Sequence, residues 1–260
     1  MSGHRDFEAQ LENLRHEASV AVRYIYADLA IQHAASNSKR LLERLNQTPL
    51  FWIACTAALQ TAAYIALGRV FDAKSKYNVS ALLDSFDVNL HLFQRRALAE
   101  RKREGRAIDP PWLGTYLDKA YYPSKKDVLA LRRKVDAYRS IYDRAIKPAR
   151  HKYLAHREKR HPTEVSALFA GGTVRDLWRM STFLLQLHDV LWELLHNGER
   201  PRLRAIRYSV KRIFDSPSSS SQAHEEMVRE VKDLMRFLEG GQRVHRTVQH
   251  LRSASLSRGR

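Results

Sequence analysis

This 260-residue chain is short of cysteine, of acidic residues and of anything that alternates like a β-strand. Its single cysteine, Cys55, cannot form an internal disulfide and offers no thiol-based metal site, which fits a reducing cytoplasm. No segment sustains the two-residue apolar–polar alternation of a half-buried strand, and no repeat of fixed period marks a solenoid. The opening residues Met-Ser-Gly-His-Arg-Asp are polar and are not expected to act as a signal peptide. With 28 Asp plus Glu against 45 Lys plus Arg, the formal net charge is +17. Such an excess favours a polyanionic partner, whether RNA, DNA or an anionic membrane surface.

One uncharged run, Leu50 to Leu67, approaches the length of a membrane span. It is rich in Ala and carries Thr56, Gln60 and Thr61, and Arg69 and Asp72 follow at once. With no second apolar run to join it, the segment reads as the buried central helix of a bundle, and no membrane association is expected.

The rest of the chain reads as helix, so the expected fold class is all-α. Phe7, Leu11, Leu14, Val22, Ile25 and Leu29 recur at three- and four-residue spacing within residues 5–46. Thr48 and Pro49 provide an N-cap and first turn for the apolar helix to about Phe71. Ser80 starts a short helix, and a further one over residues 88–104 ends in Arg101-Lys102-Arg103 before Asp109-Pro110-Pro111 breaks the chain. Ser124 with Asp127, and Thr173 with Asp176, have the spacing of capping boxes for helices over residues 125–146 and from 174 to Asn197-Gly198. Pro148 predicts a break or kink, followed by a distinct helix over residues 148–159. Trp178 and Trp192 follow the apolar pattern of their helix and are expected in the core, whereas Trp112, Tyr121 and Tyr122 stay open as stacking candidates. The composition changes after Arg200, which predicts a helical domain over residues 1–200 and a basic appendage over 201–260. The appendage has a Ser-rich joint, a helix with Met227, Val231, Leu234 and Leu238 on one stripe, and an Arg-rich tail expected to be disordered.

The most telling chemistry lies in residues 144–160, which are dense in positive charge and contain Arg150 and His156. Arginine is a permanent cation that can stabilise a phosphate, and histidine is the side chain best suited to move a proton near neutral pH. Six steps along a helix turn through about 600°, so the two side chains would diverge by about 120° and lie about 9 Å apart along the axis. One chain makes a poor site from this pair alone, whereas two chains about a twofold axis could bring both copies into one cleft. Lys152 and Arg160 share the His156 side and Arg157 lies near Arg150, giving a strongly positive cleft. Arg101, Lys102, Arg103, Lys159 and Arg160 are the expected phosphate contacts. His151, His156 and His161 recur every five residues, about 140° apart on a helix, and no acidic residue joins them in ligand-like spacing. No metal or other cofactor is therefore expected. A solvated basic helix explains the Arg–His spacing equally well from these residues alone.

Arg150-His151-Lys152-Tyr153-Leu154-Ala155-His156 resembles the signature of the HEPN superfamily: an Arg, four to six residues, then a His, often with a polar residue after the Arg, as His151 is here. Phe51-Trp52, the Ala-rich helix and Leu67-Gly68-Arg69-Val70-Phe71-Asp72 resemble the second helix of the branch associated with abortive-infection proteins. The resemblance spans roughly residues 5–197. It implies a helical bundle that forms a homodimer, with Arg150 and His156 of both subunits lining a ribonuclease cleft. His151, Lys152, Tyr153, Arg157, Arg69 and Asp72 would support that pair. Members of the superfamily include metal-independent endoribonucleases of toxin–antitoxin and antiphage systems, so RNA, a second copy and an antitoxin or other protein are the implied partners. Other members keep the fold and only bind RNA or nucleotides. A third reading, from another class, is a helical scaffold that docks a protein through the Met227 stripe. In the nucleotidyltransferase-paired toxins of the superfamily a Tyr follows the His by two residues; Glu158 stands there in this chain, so control through such a Tyr is not expected.

Overall fold

A computed structural model describes residues 2–106, 108–151, 173–203, 209–215 and 223–240. Among the described residues there are eleven α-helices, one 3₁₀ turn, a π-helical stretch at Arg150 and His151, and no strand. In order they are α1 Ser2–Asn37, α2 Lys39–Leu45, α3 Pro49–Phe71, α4 Val79–Val88, the 3₁₀ turn Leu90–Phe93, α5 Arg95–Arg103, α6 Leu113–Lys119, α7 Lys125–Ala145 and α8 Lys147–Ala149. Then follow α9 Val174–Asn197, α10 Val210–Asp215 and α11 Ala223–Glu239. The fold is all-α, as the sequence pattern predicts.

The chain divides into two compact units, one of residues 1–25 and 60–207, the other of 26–59 and 208–260. This differs from the linear division at residue 200, because a stretch near the N-terminus joins the C-terminal helices.

In the first unit, Phe7, Leu11, Leu14 and Val22 on one face of α1 are buried. Phe7, Phe86 and Phe93 pack ring against ring, with centroids 4.7–6.3 Å apart. Each such buried ring or aliphatic side chain contributes about 1.5–3 kcal/mol over exposure. Helix α7 packs against α4 and α9, where Tyr138 stacks on Phe183 at 3.9 Å. Both predicted capping boxes form: Ser124 with Asp127 opens α7, and Thr173 with Asp176 opens α9, which Gly198 closes in a left-handed conformation at φ 60°. The helix predicted over residues 88–104 is split. Gln94 is extended (φ −84°, ψ 164°) between the 3₁₀ turn and α5. Helix α6, just past the Pro-Pro break, has no counterpart in the sequence reading. Trp178 and Trp192 are half-buried rather than fully in the core.

In the second unit, α2 and α10 pack against α11. The Ser38 hydroxyl, which also caps α2, donates to Glu239, and the His33 ring meets Phe214 edge-on at 5.0 Å. The buried row of α11 is Val228, Val231 and Met235. It is rotated from the predicted Met227–Leu238 stripe, and Leu234 is exposed: two apolar rows lie side by side on this helix and one of them faces its partners.

Helix α3 corrects a second expectation. Its last turns are buried, from Ala63 and Tyr64 through Phe71, but Leu50, Phe51 and Ile53 near its start are 81%, 60% and 64% exposed. It is also the one described helix long and apolar enough to cross a membrane by length and composition. This helix of 23 residues is longer than the stretch of core it lines.

Candidate functional site

The buried end of α3 supplies the floor of the site. Gly68 lies one turn before Asp72, whose amide donates to the Gly68 carbonyl at 3.0 Å as the helix ends. Opposite, α7 stops at Ala145, Pro148 sits inside the short α8, and Arg150 and His151 have π-helical conformation. Such wider turns are rare and recur at functional sites. Pro148 thus separates α7 from the Arg150 segment, as predicted.

Asp72 is buried and holds both residues that follow the break. Its Oδ2 accepts hydrogen bonds from Arg150 Nη2 and, at 3.2 Å, from His151 Nε2. Its Oδ1 accepts from the Lys74 amide at 3.1 Å. Burial by itself would raise the Asp72 pKa, but the Lys74 amide, His151 and Arg150 outweigh it and hold the carboxyl below its ordinary value. Asp72 is therefore an anion at neutral pH.

On its way to this carboxylate Arg150 passes directly over Gly68. A Cβ there would lie 2.5 Å from Arg150 Nη1 and 2.6 Å from its Cδ. Tyr142, fully buried and stacked on Phe71 at 5.9 Å, closes the site from α7. Its hydroxyl has no hydrogen-bond partner among the described residues. Burial pushes its pKa up to about 12, with the Arg150 charge pulling the other way. The result is a fixed cation with a half-exposed imidazole beside it, both anchored to one buried carboxylate.

Of the residues the sequence singled out, the structure brings Arg150, His151 and Asp72 together. Arg69 turns away from Asp72 and pairs with Glu17 of α1 at 3.1 Å, so the two do not form an intrahelical pair. Arg101 is half-buried and donates through Nη2 to the carbonyls of Leu92 (2.8 Å) and Leu195 (2.7 Å), near the C-terminal end of α9. Lys102 donates to Asn197 at 2.7 Å, and Arg103 makes a two-pronged pair with Asp109. All three basic residues thus have partners within the fold. His156, Lys152, Tyr153, Arg157, Lys159 and Arg160 lie outside the described residues. Trp112 is exposed and meets Tyr116 edge-on, while the Tyr121 and Tyr122 hydroxyls donate to Asp127 and to the Leu117 carbonyl. Among the described residues no group of three or more His, Cys, Asp or Glu side chains is arranged to hold a metal ion.

The AbiU2 model of the HEPN group matches residues 5–209 of this chain. The chain belongs to the HEPN AbiU2 family. No curated protein and no solved structure matches it. The family match takes in α1 through α9, and so the whole Asp72–Arg150–His151 constellation. The sequence reading took in Gly68 of this HEPN site only as part of the Leu67–Asp72 motif, not as the seat of Arg150, and it missed Tyr142. Gly68 carried a signal, since a glycine inside a helix costs about 1 kcal/mol against alanine and is kept where something packs on it. Tyr142 carried none, because its place on an amphipathic helix looks like ordinary core.

Proposed function

We propose that this HEPN AbiU2 protein is a metal-independent endoribonuclease, acting as a homodimer in which two Arg150–His156 sets share one cleft. The observation that carries the reading is the seat of Arg150. A guanidinium held by a buried carboxylate above a glycine is preorganised, so it meets a phosphate without first giving up its own freedom.

In this mechanism the ribose 2′-hydroxyl loses its proton and its oxygen attacks the adjacent phosphorus. Arg150 stabilises the charge that builds on the phosphorane oxygens; removing one such donor typically costs about 10²–10³ in rate. His156 moves a proton at the 2′-hydroxyl or at the leaving 5′-oxygen. The products are a 2′,3′-cyclic phosphate and a 5′-hydroxyl end. The net charge of +17 supports an RNA partner, and an RNA-cutting effector would suit a toxin or antiphage role.

Light scattering at micromolar concentration should give a mass near twice 30.2 kDa, and a monomer at every concentration would sink the shared cleft. The exposed Leu50, Phe51 and Ile53 favour a second reading, a scaffold that docks a protein on the start of α3. Replacing Phe51 and Ile53 with Ser would abolish that docking and leave RNA cleavage intact.

A further inference from the structure

We infer that His151 is a second proton-transferring group of the site, with Asp72 as the residue that sets its tautomer. The inference rests on the ribonuclease reading and gives His151, beyond its support of Arg150, a chemical step of its own.

Asp72 Oδ2 lies 3.2 Å from His151 Nε2. Oδ2 is an anion in a buried place, so the nitrogen facing it carries the proton; a lone pair turned toward that oxygen would be repelled. Arg150 Nη2 stands 3.3 Å from the same nitrogen and donates to the same oxygen, so the two donors converge on one acceptor. A carboxylate oxygen has lone pairs for both. With Nε2–H directed at Asp72, Nδ1 is left as the proton acceptor, and it has no hydrogen-bond partner among the described residues. The His151 side chain is 39% exposed, whereas Asp72 behind it is 8% exposed. Reagents thus reach the imidazole and not the carboxylate. The arrangement follows the logic of the Asp–His pair in serine hydrolases, where the carboxylate fixes ring orientation and tautomer without taking the proton itself.

Cleavage through a 2′-hydroxyl needs a base at that hydroxyl and an acid at the leaving oxygen. His151 takes the first role: Nδ1 accepts the 2′-hydroxyl proton as the O2′–P bond forms. The P–O5′ bond then breaks, and the 5′-oxygen takes a proton from the His156 imidazolium. One proton is taken up at His151 and one is given up at His156, so the protein is restored when His151 releases a proton to water and His156 takes one from it.

The test uses the full-length protein and two substrates, an RNA oligonucleotide and a uridine 3′-(4-nitrophenyl phosphate), whose leaving group needs no acid. His151→Ala should lose about 10²–10⁴ in rate on both substrates, as expected for loss of a general base. His156→Ala should lose activity on RNA and recover it on the nitrophenyl ester. His151→Gln, whose amide can still donate to Asp72, should fold like wild type and remain inactive. Histidine ¹⁵N spectra should show His151 protonated at Nε2. Wild-type RNA cleavage in His151→Gln, or an Nδ1–H tautomer, would overturn the assignment while leaving Arg150 and His156 as the ribonuclease pair. Absence of cleavage by the wild-type protein would instead overturn the ribonuclease reading and the His151 assignment with it.

Discussion

Gly68 and Arg150 compete for the same space: a Cβ on the glycine would stand 2.5 Å from Nη1 of the arginine. The guanidinium is placed by a missing methyl group as much as by its carboxylate partner. Gly68→Ala should therefore push Arg150 off Asp72 while improving helix propensity by about 1 kcal/mol. The expected outcome is RNA cleavage reduced at least tenfold with thermal stability nearly unchanged. Wild-type rates in this variant would show that Arg150 works from another position.

Asp72 is the anchor of the site. Removing one partner of a buried ion pair costs about 3–5 kcal/mol, and Asp72→Ala should fall at the low end because Arg150 keeps some access to water. The pH dependence has a definite sign. The Asp72 pKa is lowered in the folded protein, so its stabilising effect is complete above the unfolded value of about 3.9 and fades as pH falls through the folded value. Thermal melts below pH 4 should therefore show wild type losing stability faster than Asp72→Ala. Parallel acid limbs for the two proteins would mean that Asp72 titrates normally.

Tyr142 buries a hydroxyl that has no hydrogen-bond partner of good geometry among the described residues. Leaving such a group unsatisfied costs about 1–3 kcal/mol. Tyr142→Phe keeps the ring stacked on Phe71 and should raise stability by about 1 kcal/mol, a melting shift of about 2–4 °C for a protein of this size. A loss of stability would reveal a hydrogen bond to the Arg150 guanidinium.

Much of the fold was legible because caps and apolar periodicity are local signals. Ser124, Thr173 and Pro148 mark helix ends through their own backbone and side-chain chemistry, and the structure agrees at each. What escaped the sequence depends on distant partners. Residues 26–59 join the C-terminal helices through contacts such as Ser38 with Glu239, which no local pattern reports. The basic run Arg101-Lys102-Arg103 is legible only as positive charge at a helix end, and its partners inside the fold are not. Arg101 donates to the Leu195 carbonyl near the end of α9, a partner more than 90 residues away. The Arg150 signature was visible as a spacing, and Asp72 as an acid at the end of the apolar helix. That they meet over Gly68 is a tertiary fact.

The most direct measurement is to incubate the purified protein with a defined RNA in excess EDTA and analyse the ends it produces. A 2′,3′-cyclic phosphate paired with a 5′-hydroxyl end is predicted, with no cut when the scissile ribose is replaced by deoxyribose. Arg150→Ala and His156→Ala should each abolish the products while melting close to wild type. Cleavage that stops in EDTA and returns with magnesium, or that persists undiminished in His156→Ala, would contradict the account.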